Sequence, residues 1–318
     1  MNIANAAKRM RSIFKETPLD YCNLSNKSVY LKREDLTPVR SYKIRGAYNK
    51  MSSLVDVKNI VTCSAGNHAQ GVAFSCEKLK IKGSIFMPKI TPKQKIDKVK
   101  QFGKNYVSIH LIGENFDECF VEASNYCSKE KQVFIHPFDD LLVIEGQGTV
   151  GYEILNQINK PIDYIILPIG GGGLAAGVST YMKEYSHHTK IIGVEPLGAP
   201  SMYDSLKQNK VVTLSKINTF VDGASVKKVG DLNFPICRDN LETMLLIDEG
   251  HVCSKIIQMY NTYGYIIEPA GVLSLCALDI VDLKGNVVCV ISGGNSDIFR
   301  IPEIIERSLF YEKTKSLL

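Results

Sequence analysis

Four short segments of the chain combine residue types that could do chemistry. The first is Ile169-Gly170-Gly171-Gly172-Gly173-Leu174, which sets four glycines between an apolar run and a helix-like stretch. Without Cβ atoms, backbone N–H groups can converge on an anion, and the positive end of a following helix adds to the attraction. A phosphate cradle is the chemical reading, and a tight strand-to-helix turn is the structural one. The loop lacks G-x-x-x-x-G-K-[ST], and no acidic residue stands where a dinucleotide ribose requires one, so another kind of phosphate is wanted. The second segment, Cys63-Ser64-Ala65-Gly66-Asn67-His68-Ala69-Gln70-Gly71, gathers free amides, a hydroxyl and an asparagine at one helix start, as a carboxylate pocket would. A helix cap at Ser64 or Asn67 would account for one of them, and His68 on its own is an ordinary helix residue. In the third, Ser292-Gly293-Gly294-Asn295, a hydroxyl can reach a heterocycle nitrogen without charging it, although a plain turn has the same composition. The fourth, Ser41-Tyr42-Lys43-Ile44-Arg45-Gly46-Ala47, offers an amine, where a lysine among apolar neighbours is ordinarily a snorkelling surface residue.

Each segment sits where a strand hands over to a helix. Strands are expected at Val29 to Leu31, Asn59 to Cys63, Ser84 to Met87, Tyr106 to Leu111, Val133 to Ile135, Tyr164 to Ile169, Lys190 to Val194, Thr243 to Ile247 and Asn286 to Ile291. Runs such as YIILPI and VVCVIS are apolar without alternation, which suits parallel strands covered on both faces. Helices are expected at Ala69 to Lys80, Pro92 to Phe102, Phe116 to Lys129, Val150 to Ile158, Leu174 to Tyr185 and Val252 to Tyr263, and the basic start MNIANAAKRMRSIF reads as a further helix docked on the core, with an organelle transit peptide as the alternative. The alternation implies an open α/β architecture, in which ligands settle at the carboxyl ends of the strands.

Composition narrows the function classes. The 318 residues, 45% apolar and 22% charged, suit one large or two closely packed globular domains. A net charge of +5 is spread along the chain, and the run Lys93, Lys95, Lys98 and Lys100 has the spacing of a solvated helix face, so no nucleic acid is expected. Nine cysteines, none in a C-x-x-C pair, give neither a disulfide framework nor a zinc site and place the chain in a reducing cytoplasm. No apolar run approaches the roughly 18 residues of a membrane span.

A phosphate cradle without a nucleotide signature, a carboxylate pocket, a ring partner and an amine together describe a phosphorylated carbonyl cofactor acting on an amino acid. Pyridoxal 5'-phosphate held by Lys43 as a Schiff base answers all four. The segments SYKIRGA, SAGNHAQG, GGGGLAAG and SGGN occur in the order and spacing of fold-type II pyridoxal-phosphate enzymes, and the chain resembles them over essentially its whole length. The connecting stretches VYLKREDLTPVRSYKIRGAYNKM, MPKITPKQKIDKVKQFG, HPFDDLLVIEGQGTVGYEI, GVEPLGAPSM and FVDGASVKKVGDL resemble threonine dehydratase (threonine ammonia-lyase) in particular. The chain stops near the place where the regulatory domain of that family would begin, so it is expected to lack that domain.

The resemblance implies two open, mostly parallel sheets flanked by helices, as in tryptophan synthase β. Residues 1–48 and 147–318 would form a large cofactor domain, with 49–146 a smaller inserted domain closing over the substrate. It assigns catalysis to Lys43, the cofactor phosphate to Gly170, Gly171, Gly172, Gly173 and Leu174, its 3-hydroxyl to Asn67, its ring nitrogen to Ser292, and ring packing to Tyr42. Ser64, Ala65, Gly66, Asn67 and His68 would hold the substrate carboxylate. The implied reaction converts L-threonine to 2-oxobutyrate and ammonia, and L-serine to pyruvate, within isoleucine biosynthesis. Partners would be an amino-acid substrate and further copies of the chain as a homo-oligomer. Serine racemase of the same fold is the alternative. It builds a magnesium site after its G-V-E-P segment, and here Glu195 and Ala199 match while Ser201 stands in the Asp position, so no metal is expected. An amino-acid-binding protein without turnover is the alternative of another class, and it would not need the amine of Lys43.

Overall fold

The computed structural model describes residues 1–24 and 27–316. Its strands form two sheets. The larger has the order β1 (Leu19–Leu24), β2 (Lys27–Arg33), β10 (Val287–Ile291), β7 (Tyr164–Pro168), β8 (Lys190–Pro196), β9 (Leu241–Ile247), parallel throughout except for the β1–β2 pair. The smaller has the order β5 (Val107–Leu111), β4 (Lys82–Met87), β3 (Asn59–Cys63), β6 (Val133–Phe134), all parallel.

Helices cover both faces of the larger sheet, which is why its central strands are apolar without alternation. On one face Ile165, Leu167, Val288 and Val290 meet α1 (Ile3–Arg11), α6 (Leu141–Gln157), α7 (Gly173–Tyr185) and α9 (Asn233–Asn240). On the other, Ile166, Val194, Cys289 and Ile291 meet α10 (Glu249–Tyr263), α11 (Pro269–Cys276) and α12 (Ile301–Lys315). The smaller sheet packs on α2 (Lys43–Ser52) and α3 (Asn67–Leu79), on α4 (Lys93–Gly103), and on α5 (Phe116–Lys129).

The expected strands all appear, and β1 is an addition. It pairs antiparallel with β2 at the sheet edge, and its half-exposed residues give LDYCNL no clear apolar signature. The helix expected from Val150 begins instead at Leu141, capped by Asp140 Oδ1, which accepts from the N–H groups of Leu142 (2.8 Å) and Val143 (3.1 Å). Glycines lower its intrinsic propensity, but close packing requires them. A Cβ at Gly146 would lie 2.5 Å from the Arg45 carbonyl oxygen, and one at Gly148 would lie 2.9 Å from that of Gly177. Helices α2 and α6, joined by this contact, run across positions 48/49 and 146/147.

The lysine run corrects another expectation. Lys93 and Lys100 are exposed, but Lys95 pairs with Asp222 at 2.5 Å and Lys98 donates to Asn295 Oδ1 at 3.0 Å, so that part of α4 faces residues near the larger sheet. All nine cysteines are free thiols. No helix of the described residues is long and apolar enough to cross a membrane.

Candidate active site

Lys43 is the first residue of α2, and the chain reaches it through a tight turn. Arg40 takes a left-handed conformation (φ 56°), and the Thr37 hydroxyl accepts from Ser41 N (2.8 Å) while donating to Ser41 O (2.9 Å). The segment then pairs with the third glycine-rich loop. Tyr42 N donates to Ser292 O (3.1 Å), Gly294 N donates to Arg40 O (2.9 Å), and Ser41 bridges Gly293. Lys43 and Ser292 are therefore fixed relative to each other by backbone. Two residues further along α2, Arg45 is fully buried and forked against Glu34 (2.7 and 2.8 Å) and Glu153 (2.7 and 2.8 Å), with Lys32 on Glu153 at 2.6 Å. This ion cluster clamps the helix that carries the amine.

The Lys43 side chain is half-buried, and Nζ donates to the carbonyl of Pro137 at 2.8 Å. Burial pulls the amine down to about 8, with Glu268 opposing. The next residue, Phe138, carries the connection to the four glycines, because a Cβ on Gly171 would overlap its ring. Nζ lies 5.9 Å from that ring centre and 5.4 Å from the ring of Tyr42. Gly172 needs its freedom, with φ 92° at the N-cap of α7. The first bond of that helix runs from Ala176 N to Gly172 O (2.8 Å), so the amides of Gly173, Leu174 and Ala175 have no intrahelical acceptor. Asn233 Nδ2 ties Gly171 O (2.7 Å) to Phe138 O (3.1 Å), and His136 Nδ1 accepts from Asp139 N at 2.7 Å.

The segment Ser64 to His68 closes the site from the smaller sheet. Neither Ser64 nor Asn67 caps the helix, so the structural alternative for this segment does not hold: the N-cap is Gly66, without a side-chain cap, and Asn67 is the first helical residue. Ser64 Oγ instead accepts from Gly66 N (3.2 Å), and Ala65 is half-buried in the same turn. A Cβ at Gly66 would meet nothing within 4 Å, so the turn opens onto space. Gly71 brings α3 against the first turn of α2, where a Cβ would lie 3.1 Å from the Lys43 carbonyl. His68 Nε2 contacts Ile135 O at 3.0 Å, and burial together with the Lys43 charge pulls the imidazole down to about 3, so it is neutral. Asn67 points inward, donating from Nδ2 to Glu268 Oε1 (2.7 Å) and accepting at Oδ1 from Asn295 Nδ2 (2.8 Å).

All four segments thus meet at strand ends, around one amine. The parts fit pyridoxal phosphate: amides without an intrahelical acceptor at a helix N-terminus for the phosphate, a neutral-prone amine for the carbonyl, and a buried hydroxyl at Ser292 for the ring. Glu195 and Ser201 lie apart from this arrangement in role. The Glu195 carboxylate accepts from Ser201 Oγ (3.3 Å), Met202 N (2.8 Å) and Tyr203 N (2.9 Å), anchoring α8 (Ser201–Lys207).

Sequence reading missed Phe138, Asn233 and Glu268, and gave Asn295, though part of the third segment, no role of its own. Glu268 had a signal, a carboxylate just before the proline that opens α11. Burial pushes that carboxyl up to about 7.

A family model described as pyridoxal-phosphate dependent enzyme matches residues 11–293. The biosynthetic L-threonine dehydratase of Halalkalibacterium halodurans is 51% identical over 321 residues, spanning 98% of this chain and 77% of that protein. Among solved structures, the processed form of threonine deaminase isoform 2 from Solanum lycopersicum matches with a TM-score of 0.90 at 37% identity, covering 97% of this chain and 88% of that one. Serine racemase from Dictyostelium discoideum matches at 0.84 and 31%, covering 93% and 98%. Since half of the aligned positions are shared across nearly the whole chain with a relative of this kind, the chain belongs to the threonine dehydratase family of pyridoxal-phosphate dependent enzymes.

Proposed function

We propose that this protein converts L-threonine to 2-oxobutyrate and ammonia, using pyridoxal phosphate carried on Lys43. The observation that carries the reading is the short path from Lys43 Nζ through Pro137 and Phe138 to Gly171, which sets the amine and the four-glycine loop at opposite ends of one dipeptide. When bound, the cofactor supplies an electron sink for the bond broken at the substrate Cα. The chain supplies the rest. The backbone of Gly170 to Leu174 binds the phosphate, Ser292 receives the ring nitrogen without charging it, Tyr42 packs beside the ring, and Asn67 faces its 3-hydroxyl. The turn from Ser64 to His68 orients the substrate carboxylate in the open space at Gly66, mainly through the amides of Ala65, Asn67 and His68, since Ser64 N is held by Phe86 O and Gly66 N by Ser64 Oγ. The Lys43 amine, neutral-prone because it is half-buried, takes the Cα proton.

Serine lacks one methyl, and a pocket discriminates one methyl by only about 1–3 kcal/mol, so serine is a slower substrate giving pyruvate. The racemase alternative is less well supported, because three donors already occupy Glu195. In this reading residues 49–146 move against 1–48 and 147–318. The exposed apolar side chains Phe299, Leu309 and Phe310 support a homo-oligomer, and nine free thiols support a cytoplasmic setting.

Purified protein should be yellow, lose its visible band on borohydride treatment and release 2-oxobutyrate from threonine. Lys43→Ala should lose both properties while keeping its fold. A Lys43→Ala protein that retains the borohydride-sensitive band and turnover overturns the assignment.

A further inference from the structure

Glu268 enters the site at the N-terminal end of α11, and no step of the proposed reaction uses it. Its side chain is buried. Oε1 accepts from Asn67 Nδ2 (2.7 Å) and Oε2 from Asn295 N (3.1 Å). Asn295 Nδ2 in turn donates to Asn67 Oδ1 (2.8 Å) and to Val39 O (2.9 Å). The Asn67 amide is therefore gripped at both ends, its nitrogen by a carboxylate and its oxygen by an amide N–H. An asparagine side chain exchanges its oxygen and nitrogen by a half-turn. Here that half-turn would set Nδ2 against the Asn295 amide nitrogen, which Val39 O holds in place, and Oδ1 against the Glu268 carboxylate whenever that group is ionised, mismatched contacts in a half-buried site. One orientation survives, and it leaves the second N–H of Nδ2 available.

The same carboxylate touches the loop that bears Ser292. A Cβ on Gly293 would overlap Glu268 Oε1, and Glu268 N donates to Gly293 O at 3.2 Å. One side chain thus bears on both loops that face the ring, one from each sheet.

We propose that Glu268 is a positioning residue for the cofactor ring: together with Asn295 it locks Asn67 in the amide orientation that offers an N–H to the ring oxygen, in register with Ser292. The proposal rests on the reading that Asn67 faces the 3-hydroxyl. Lys98, which donates to Asn295 Oδ1 at 3.0 Å, connects the clamp to α4.

The test is the visible absorption band of the holoenzyme across neutral pH, together with the rate of cofactor loss on dilution, for Asn67→Ala, Glu268→Ala, Glu268→Gln and Asn295→Ala. Glu268→Ala and Asn295→Ala should shift the band in the direction that Asn67→Ala does and lose the cofactor about tenfold faster, as expected when a hydrogen bond to a charged group is lost. Glu268→Gln keeps an acceptor for Asn67 but sets its amide nitrogen against Asn295 N, so it should fall between Glu268→Ala and the unaltered protein. Should Glu268→Ala fail to fold, Asn295→Ala reads the same clamp from its other side. Unshifted bands in Glu268→Ala and Asn295→Ala beside a shifted Asn67→Ala overturn the proposal, as does a Glu268→Gln that behaves like Glu268→Ala, which would assign the effect to charge. A silent Asn67→Ala removes the premise instead, and with it the assigned role of Asn67.

Discussion

The imidazole of His136 is useful only while it is neutral. Its Nδ1 accepts from Asp139 N (2.7 Å) and Phe138 N (3.3 Å), and those two bonds shape the turn that presses Phe138 onto Gly171. Burial is the main force pulling the ring down to about 4, with Asp139 opposing and Lys43 assisting. A base whose affinity for protons is lower in the folded chain than in the unfolded one makes stability rise with pH. The unfolded chain takes up the proton near its ordinary value of about 6.5, while the folded chain resists until about 4. This contribution is complete above that ordinary value and shrinks as pH falls through the window. Asparagine keeps an acceptor at the same position without the titration. His136→Asn should therefore lose less stability than the unaltered protein between neutral pH and about 5, by on the order of 1 kcal/mol. Thermal or denaturant midpoints of the two proteins at both pH values measure it. Glu268 and Glu195, pushed up by burial to about 7 and about 8, act in the opposite sense, and comparing the two proteins at each pH cancels them. Parallel curves for the two proteins would falsify the assignment of this pH dependence to His136.

Helix α2 does two jobs with neighbouring residues, and the second makes the first possible. Lys43 and Arg45 lie on one turn. Arg45 ends among Glu34 and Glu153, with Lys32 supplying the balancing positive charge. The pairing with Arg45 and Lys32 overcomes burial and holds the Glu153 carboxyl down at about 2. Replacing Arg45 by Met keeps the volume but leaves two buried carboxylates facing one lysine, a change that costs about 3–5 kcal/mol. Arg45→Met should show that loss in denaturant unfolding, together with a fall in cofactor retention as the first turn of α2 loosens. A variant of unaltered stability would mean that packing, not charge, holds the helix.

At this scale the sequence was legible wherever one local cause decided the structure. Strands β7 and β10 are buried on both faces, so their apolar runs announce them, and the four glycines announce a turn into α7. Strand β1 has no such signature because it lies at an edge. The start of α6 was hidden because its glycines answer to α2 and α7, partners far away in sequence. Phe138 and Asn233 were hidden for the same reason, since nothing near either residue tells that it supports Gly171. The amine and the cradle could be read from local chemistry, whereas the residues that hold them in place are visible only once distant segments meet.

Few charged contacts join the layer of the smaller sheet to that of the larger. Lys95 meets Asp222 at 2.5 Å and Lys227 meets Asp117 at 2.6 Å, the second pair exposed and the first half-exposed. Beside the first pair lies a cleft of about 440 Å³, lined by Lys95, Asp222 and Asn295 among others, and Asn295 also holds Asn67. Exposed pairs contribute about 0.2–1 kcal/mol each and weaken further as salt screens them. Energies of that size barely affect folding, but they are enough to shift the proposed closing motion of residues 49–146 several-fold. Stability and substrate binding should therefore separate in a Lys95→Ala, Lys227→Ala protein. Its unfolding midpoint should move by no more than about 2 kcal/mol equivalent, while its KM for threonine should rise about threefold to tenfold with kcat little changed. Salt gives the second arm of the comparison: KM of the unaltered protein should climb with added sodium chloride, and KM of the double variant should stay flat because the screened pairs are already gone. Steady-state kinetics at low and high ionic strength read both quantities. Identical salt responses in the two proteins would show that these ion pairs take no part in closing the site.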